Sequence, residues 1–124
     1  NNPEKNYAKF NLSLTKKLHP KIRLGVFTAV ADPNTLVKNI QEHLKSQGRS
    51  EEELPIERRF YPDHHPFSLG EVKEVLALGI NIICTRKDLV KIPQEYRDKF
   101  IEARIDVEFS PSDFEATVHK GVVL

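Results

Sequence analysis

"INIIC", Ile80–Cys84, is a run of five residues in which only Asn81 is polar. A strand with one face in water alternates apolar and polar side chains, whereas a continuously apolar run needs cover on both faces. The run is short, with Gly79 before it and the polar segment "TRKD", Thr85–Asp88, after it. Those bounds favour a strand over a helix. The stretch predicts a central strand with helices packed above and below.

Outward from it, "IRLGVFT", Ile22–Thr28, reads as a second buried strand. Asp32 follows as an N-cap and Pro33 as the first helical residue, with Leu36, Val37, Ile40 and Leu44 on one face. Gly48 ends that helix as the residue after its cap. "RSEEEL", Arg49–Leu54, is a charged surface loop, and a strand from about Pro55 to Phe60 tolerates proline at its first position. Ser68 and Glu71 form the S-x-x-E capping box of a helix carrying Leu69, Val72, Val75 and Leu76, which Gly79 closes. A short helix is expected from about Pro93 to Ala103. Ile105, Val107 and Phe109 then alternate as an edge-like strand, and Ser110-Pro111 opens a last helix with Phe114 and Val118. Residues 1–20 are polar and irregular apart from Phe10, Leu12 and Leu14, which alternate as a short strand does. The order β-α-β-α-β-(α)-β-α predicts a Rossmann-like, three-layer α/β domain, with a mostly parallel sheet of about four strands and helices on both faces.

A chain of 124 residues with 39% hydrophobic and 30% charged residues suits one folded domain and excludes a disordered or membrane-spanning class. No apolar run approaches the roughly 20 residues of a transmembrane helix, and no signal-peptide core stands near the N-terminus. A single cysteine, Cys84, excludes an internal disulfide framework and suits a reducing compartment. The net charge of +1 gives no field toward nucleic acid. Locally, Lys5, Lys9, Lys16, Lys17, Lys21 and Arg23 oppose only Glu4. This basic stretch reads as a solvated tail or, more sharply, as a contact for anionic lipid or phosphate. The first residue is Asn1, so the chain is expected to be processed, tagged or cut from a longer polypeptide.

Ligands of open α/β sheets sit beyond the carboxyl ends of the strands. Three segments occupy those ends: "TAVADPN" (Thr28–Asn34), "YPDHHPFS" (Tyr61–Ser68) and "TRKD". Asp32, Asp63, His64, Thr85 and Lys87 are therefore expected on one edge of the sheet. Adjacent residues of an extended segment point to opposite sides, so His64 and His65 do not bind one ion together. Zinc wants three or four convergent ligands, and His19, His43 and His119 show no ligand spacing; no metal site is assigned. As a base, histidine titrates near neutrality and a neighbouring carboxylate orients it. The helix starting after Ser68 would direct backbone N–H groups to the same place. The other reading is a histidine hydrogen-bonded within a proline-rich turn, and the residues alone leave both open. "TRKD" either meets phosphate or is an exposed turn with Lys87 and Asp88 facing solvent. Nothing nearby lowers the pKa of Cys84, which reads as core. There is no G-x-x-x-x-G-K-[ST] and no dinucleotide fingerprint, so the chain has no cradle of its own for a nucleoside triphosphate.

"RRFYPDHHPFS" (Arg58–Ser68), a capped helix and "INIICTRKDLVKI" (Ile80–Ile92) together resemble the C-terminal part of the tetraacyldisaccharide 4′-kinase family. "GVFTAVADPNTLVKNIQEHL" (Gly25–Leu44) looks like the family's first strand and helix of this region, and the likeness covers about Ile22 to Phe109. The family phosphorylates the 4′-hydroxyl of a tetraacyldisaccharide 1-phosphate, an acylated lipid A precursor, at the cytoplasmic face of the inner membrane of Gram-negative bacteria. The resemblance implies a two-domain kinase whose N-terminal P-loop domain, absent from this sequence, holds most of ATP and Mg2+. Residues 1–20 would be a linker or short strand from that domain and residues 21–124 the C-terminal α/β domain. It implies that His64 is the base for the 4′-hydroxyl, with Asp63 as its supporting carboxylate and an aspartate of the other domain as its partner. Thr85, Lys87, Asp88 and Asp32 are the candidates for substrate contact. Arg86 stands where the family usually has glutamate, which reverses the charge there. Without the P-loop, no ATP turnover is expected of these residues alone. The rival readings are a non-catalytic α/β binding or interaction module and a fragment of the manganese phosphoesterases named for Asp-His-His. Those phosphoesterases need further strand-end aspartates, and only Asp32 and Asp88 are on offer.

Overall fold

The strand β4 (Asn81–Cys84) is buried along its whole length and lies between two parallel neighbours, β2 (Leu24–Thr28) and β5 (Ile101–Phe109). This is a computed structural model, and it describes residues 8–49 and 55–109. The other elements are β1 (Ala8–Leu14), α1 (Pro33–Ser46), β3 (Ile56–Phe60), α2 (Leu69–Leu76), α3 (Arg86–Leu89) and α4 (Gln94–Arg97). The five strands stand in the order β1-β5-β4-β2-β3, and β2 pairs parallel with β3 in the register Leu24–Ile56 to Thr28–Phe60. Leu12–Arg104 forms one compact unit, and among the described residues Ala8–Asn11 and Ile105–Phe109 belong to another. Every candidate site residue belongs to the first.

Strand alternation sorts the core into two clusters, one on each face of the sheet. Leu24, Val26, Ile83 and Ile101 pack with Leu36, Val37, Ile40 and Leu44 of α1. Phe27, Ile82 and Cys84 point the other way, toward Val72 and Val75 of α2, with Ile92 and Phe100. The result is the three-layer α/β arrangement expected of a continuously apolar central strand. Asn81, the polar residue of that run, is 3% exposed. Its side chain accepts from His19 N–H (3.0 Å) and donates to the carbonyls of His19 (3.2 Å) and Ile22 (2.9 Å). Thus the amide is satisfied by the segment leading into β2, and fixes that segment to the start of β4.

The helix signals act as the sequence predicts. Asp32 caps α1 by accepting from Thr35 N–H, Pro33 is its first residue, and Gly48 follows its end at φ 83°. That conformation suits a residue without Cβ. α2 has the Ser68/Glu71 capping box, and Gly79 follows it at φ 65°. β3 is the outermost strand on the β2 side of the order. Arg23 and Arg59 both pair with Glu57 on it, at 3.1 and 2.8 Å, and Arg59 also approaches Glu74 of α2 at 3.8 Å.

Several expectations need correction. The sheet has five strands, because β1 joins it beside β5. The helix expected over Pro93–Ala103 is reduced to Gln94–Arg97. Phe100 belongs to the α2-side cluster while Ile101 and Ala103 belong to the α1-side cluster, and Ile101 and Glu102 pair with Ile83 and Cys84. A vacant parallel position beside β4 thus overrides local helix propensity. For the same reason β5 is an interior strand rather than an edge. "TRKD" is not a loop but the cap and first turn of α3. Residues 50–54 of the charged loop, and the last helix with Phe114 and Val118, lie outside the described residues.

Candidate functional site

The chain goes from β2 outward to β3, then crosses back to β4 on the other side of β2. A crevice is expected where the strand order reverses, at the carboxyl ends of β2 and β4. Here a carboxylate closes it. Asp88, fully buried, accepts from Thr28 Oγ1 at 2.6 Å and from Ala29 N–H at 2.9 Å. It also accepts from Thr85 N–H at 2.9 Å and Thr85 Oγ1 at 2.8 Å. Thr85 Oγ1 in turn accepts from Asp88 N–H at 3.2 Å. T-x-x-D is the same capping box as S-x-x-E, with the aspartate also bonded to the neighbouring strand. Asp88 is therefore the tie between β2 and β4.

The Tyr61–Ser68 loop leaves β3 at this same edge and is anchored to the carbonyls on either side of the Ala29 N–H. His64 N–H donates to the Ala29 carbonyl at 3.2 Å, and Tyr61 N–H to the Thr28 carbonyl at 2.9 Å. His64 has φ 66°, a left-handed conformation uncommon for a residue with Cβ. Its side chain is 85% exposed, with Nε2 lying 3.5 Å from Asp63 Oδ2.

His65 turns inward. Its ring stacks on Tyr61 (5.0 Å between centroids, 25° between planes) and meets the edge of Phe67 at 5.9 Å. Its Nε2 is shared between the two Glu71 oxygens at 3.0 and 3.1 Å. Glu71 Oε1 also accepts from Ser68 N–H at 2.8 Å, while Ser68 Oγ accepts from Glu71 N–H at 3.1 Å. Hence the Ser68 and Glu71 N–H groups at the start of α2 are used within its own cap. The Ser68 N–H and then His65 hold the Glu71 carboxyl below the usual carboxylate range. Burial, and next the Glu71 charge, raises the Tyr61 hydroxyl. Lys91 completes the clamp, donating to the His65 carbonyl at 3.0 Å with its ammonium 5.1 Å from the Phe67 ring centre.

The remaining candidates differ in what they can offer. Asp32 spends both oxygens on Thr35, accepting at 3.2 Å from N–H and at 2.6 Å from Oγ1. Those bonds, the side-chain one foremost, lower its pKa. Lys87 is exposed on the first turn of α3. Arg86 points back to Glu102 at 3.6 Å. Burial pushes the Cys84 thiol far up, with Asp88 and Glu102 adding to it, as suits a core residue. The parallel strands bring Asp32, Asp63, His64, Thr85 and Lys87 to one edge, but only Asp63, His64 and Lys87 leave their side chains open there. Lys91, Tyr61 and the Ala29 backbone also shape this edge, and nothing local in the sequence marks them. Only the T-x-x-D spacing carried a local signal for the Asp88 tie.

The model of the tetraacyldisaccharide-1-P 4′-kinase family matches residues 3–122 of the chain. The chain belongs to that family. A tetraacyldisaccharide 4′-kinase from Nitratidesulfovibrio vulgaris is 40% identical over 38 residues, 31% of this chain and 11% of that relative. The match therefore spans well under two thirds of the relative's length. No solved structure matches.

Kinase family membership raises the question of ATP and Mg2+. Among the described residues, no three His, Cys, Asp or Glu side chains converge as metal ligands. The buried carboxylate of this edge, Asp88, is saturated by four donors of the protein. No phosphate-cradling glycine-lysine loop occurs in the sequence. These residues do not fit the nucleotide and its cation. No helix among the described residues is long and apolar enough to cross a membrane.

Proposed function

We propose that this chain is the C-terminal, acceptor-side domain of an ATP-dependent 4′-kinase of lipid A biosynthesis, and that His64 is its general base. The substrate is the 4′-hydroxyl of an acylated disaccharide 1-phosphate, met at the cytoplasmic face of a Gram-negative inner membrane. An N-terminal P-loop domain outside this sequence binds ATP and Mg2+ and supplies the phosphoryl group. Residues 1–20 belong to the connection with that domain and residues 21–124 to this one.

The single observation carrying the reading is the contrast within the histidine pair. His65 is tied by ring and carbonyl, whereas His64 has an anchored backbone and an open imidazole beside a carboxylate. An anchored backbone with a free side chain is what positioning a base requires. Asp63 lies near Nε2, so Nδ1 is left to accept the hydroxyl proton. Asp63 then stabilises the imidazolium that forms. Lys87 is the open cation of the edge, suited to an anionic group of the substrate, while Thr85, Asp88 and Asp32 act by holding the loops in place.

The test is steady-state kinetics of the full-length enzyme across pH. His64→Ala is expected to lower kcat by about 10²–10⁴-fold, the usual worth of general acid–base catalysis, with little change in KM for ATP. It should also remove the limb along which the wild-type rate falls as pH drops. His65→Ala is expected to keep most of kcat in the fraction that remains folded. A severe His65→Ala beside a silent His64→Ala would overturn the assignment.

A further inference from the structure

A groove of about 950 Å³ opens between residues 13–21 and the last turn of α1. It is not part of the His64 edge. α1 returns from the end of β2 to the start of β3, so its last turn lies where the strands begin, and Arg49 reaches the Ile22 carbonyl there at 3.4 Å. The volume is in the range of small-molecule sites, roughly 300–1,000 Å³, far more than one ion fills.

Its lining is unbalanced in charge. Lys16, Lys17, Lys21, His43 and Arg49 line it, and among the described residues no carboxylate does. Lys16 is spent on the Asp98 carbonyl, whereas Lys17 and Lys21 are exposed. Lys21 is held at φ 68°, a left-handed conformation uncommon for a residue with Cβ. The apolar lining lies deeper: Leu44 is buried, and Leu14 and Leu18 are half-buried against the aliphatic core. Apolar atoms at depth with cations nearer the water describe an amphipathic site.

A helix C-terminus ordinarily repels an anion through its unsatisfied carbonyls. Here the carbonyls of His43, Leu44 and Lys45 accept from the N–H groups of Gln47, Gly48 and Arg49, and Ser46 Oγ donates to His43 as well. The repulsion is largely quenched within the helix end itself.

We propose that this groove binds a phosphate ester bearing an apolar chain, its phosphate among Lys17, Lys21 and Arg49 and its first methylenes against Leu14, Leu18 and Leu44. Charge complementarity selects the phosphate and the buried leucines select the chain. The inference goes beyond the kinase reading and does not depend on His64.

The experiment is a titration of the full 124-residue chain followed by amide chemical shifts. The probes are monomeric dihexanoyl phosphatidic acid, inorganic phosphate and dihexanoyl phosphatidylcholine. Saturable shifts are expected at Leu14, Lys17, Lys21, Leu44 and Arg49 with phosphatidic acid, and none with phosphatidylcholine. Inorganic phosphate should bind about tenfold more weakly or worse, for want of a few buried methylenes. Lys17→Glu combined with Lys21→Glu, both at exposed positions, should weaken phosphatidic acid by at least about tenfold while leaving the circular dichroism unchanged. Flotation with vesicles of phosphatidylcholine mixed with phosphatidylglycerol separates the sources. Binding that the double variant abolishes identifies a bilayer headgroup, and its absence identifies a free amphiphile. Equal shifts with phosphatidylcholine, phosphate binding as tight as phosphatidic acid, or an unaffected double variant would overturn the proposal.

Discussion

The Asp88 tie and the Tyr61–Ser68 loop are attached to opposite sides of one residue, Ala29, yet they are built on opposite terms. Asp88 takes the Ala29 N–H and three further donors into a dry junction. The loop takes the Ala29 carbonyl and then sends an imidazole into water. An ionisable side chain at the carboxyl end of a parallel strand is thus not a ligand group by position alone. What separates the two is how much hydrogen-bonding capacity the fold leaves unused.

The comparison breaks first, and most visibly, at Asp88. Asp88→Ala would strip acceptors from the Thr28 hydroxyl and from the Ala29 and Thr85 N–H groups in a buried place. Each orphaned donor costs about 1–3 kcal/mol, so a loss of at least about 3 kcal/mol is expected, measured by urea denaturation. A stable Asp88→Ala protein would mean that the junction is wet and the contrast false.

Next comes the inward histidine. His65→Ala loses the Tyr61 stack and the Glu71 bond, and about 1–2 kcal/mol of stability. Glu71 sharpens the point through pH. Its carboxyl titrates lower folded than unfolded, so its contribution is complete above the usual carboxylate value and fades as pH falls through the lowered one. The melting-temperature gap between wild type and Glu71→Gln should therefore narrow as pH drops through the carboxylate range. A gap that stays constant would show that the charge of Glu71 is not what secures the loop.

The smallest effect belongs to the outward histidine. His64→Ala should change stability by no more than about 0.5 kcal/mol, as at other exposed positions. His64→Gly should be about 1 kcal/mol more stable than His64→Ala, because glycine accepts φ 66° without a Cβ penalty. Equal stabilities for the two variants would indicate that the loop relaxes out of that conformation.

Much of this was legible from residues near one another in the chain. Asp32-Pro33, Ser68 with Glu71, and the glycines at 48 and 79 mark both longer helices because caps are local chemistry. His64 and His65 do point apart, but through a turn with His64 at φ 66° rather than through the extended segment expected of them. The sequence alone leaves Asp88 a candidate for substrate contact, because its decisive partners, Thr28 and Ala29, stand about sixty residues away and meet it only once β2 and β4 are neighbours. The segment Phe100–Ala103 has the local look of a helix for a similar reason. Its strand pairing with β4 is long-range, and nothing local announces it.

β3 closes one side of the sheet with Glu57, Arg58 and Arg59 in succession. Partly exposed ion pairs such as Arg23–Glu57 and Arg59–Glu57 add little to folding free energy. Their greater effect falls on encounters between molecules. An outermost strand offers unused N–H and C=O groups to any extended segment that arrives, and desolvating three consecutive charges makes such pairing unfavourable. The row therefore protects the domain against edge-to-edge aggregation at the concentrations of a cell, a constraint on sequence that neither the core nor the candidate site would impose.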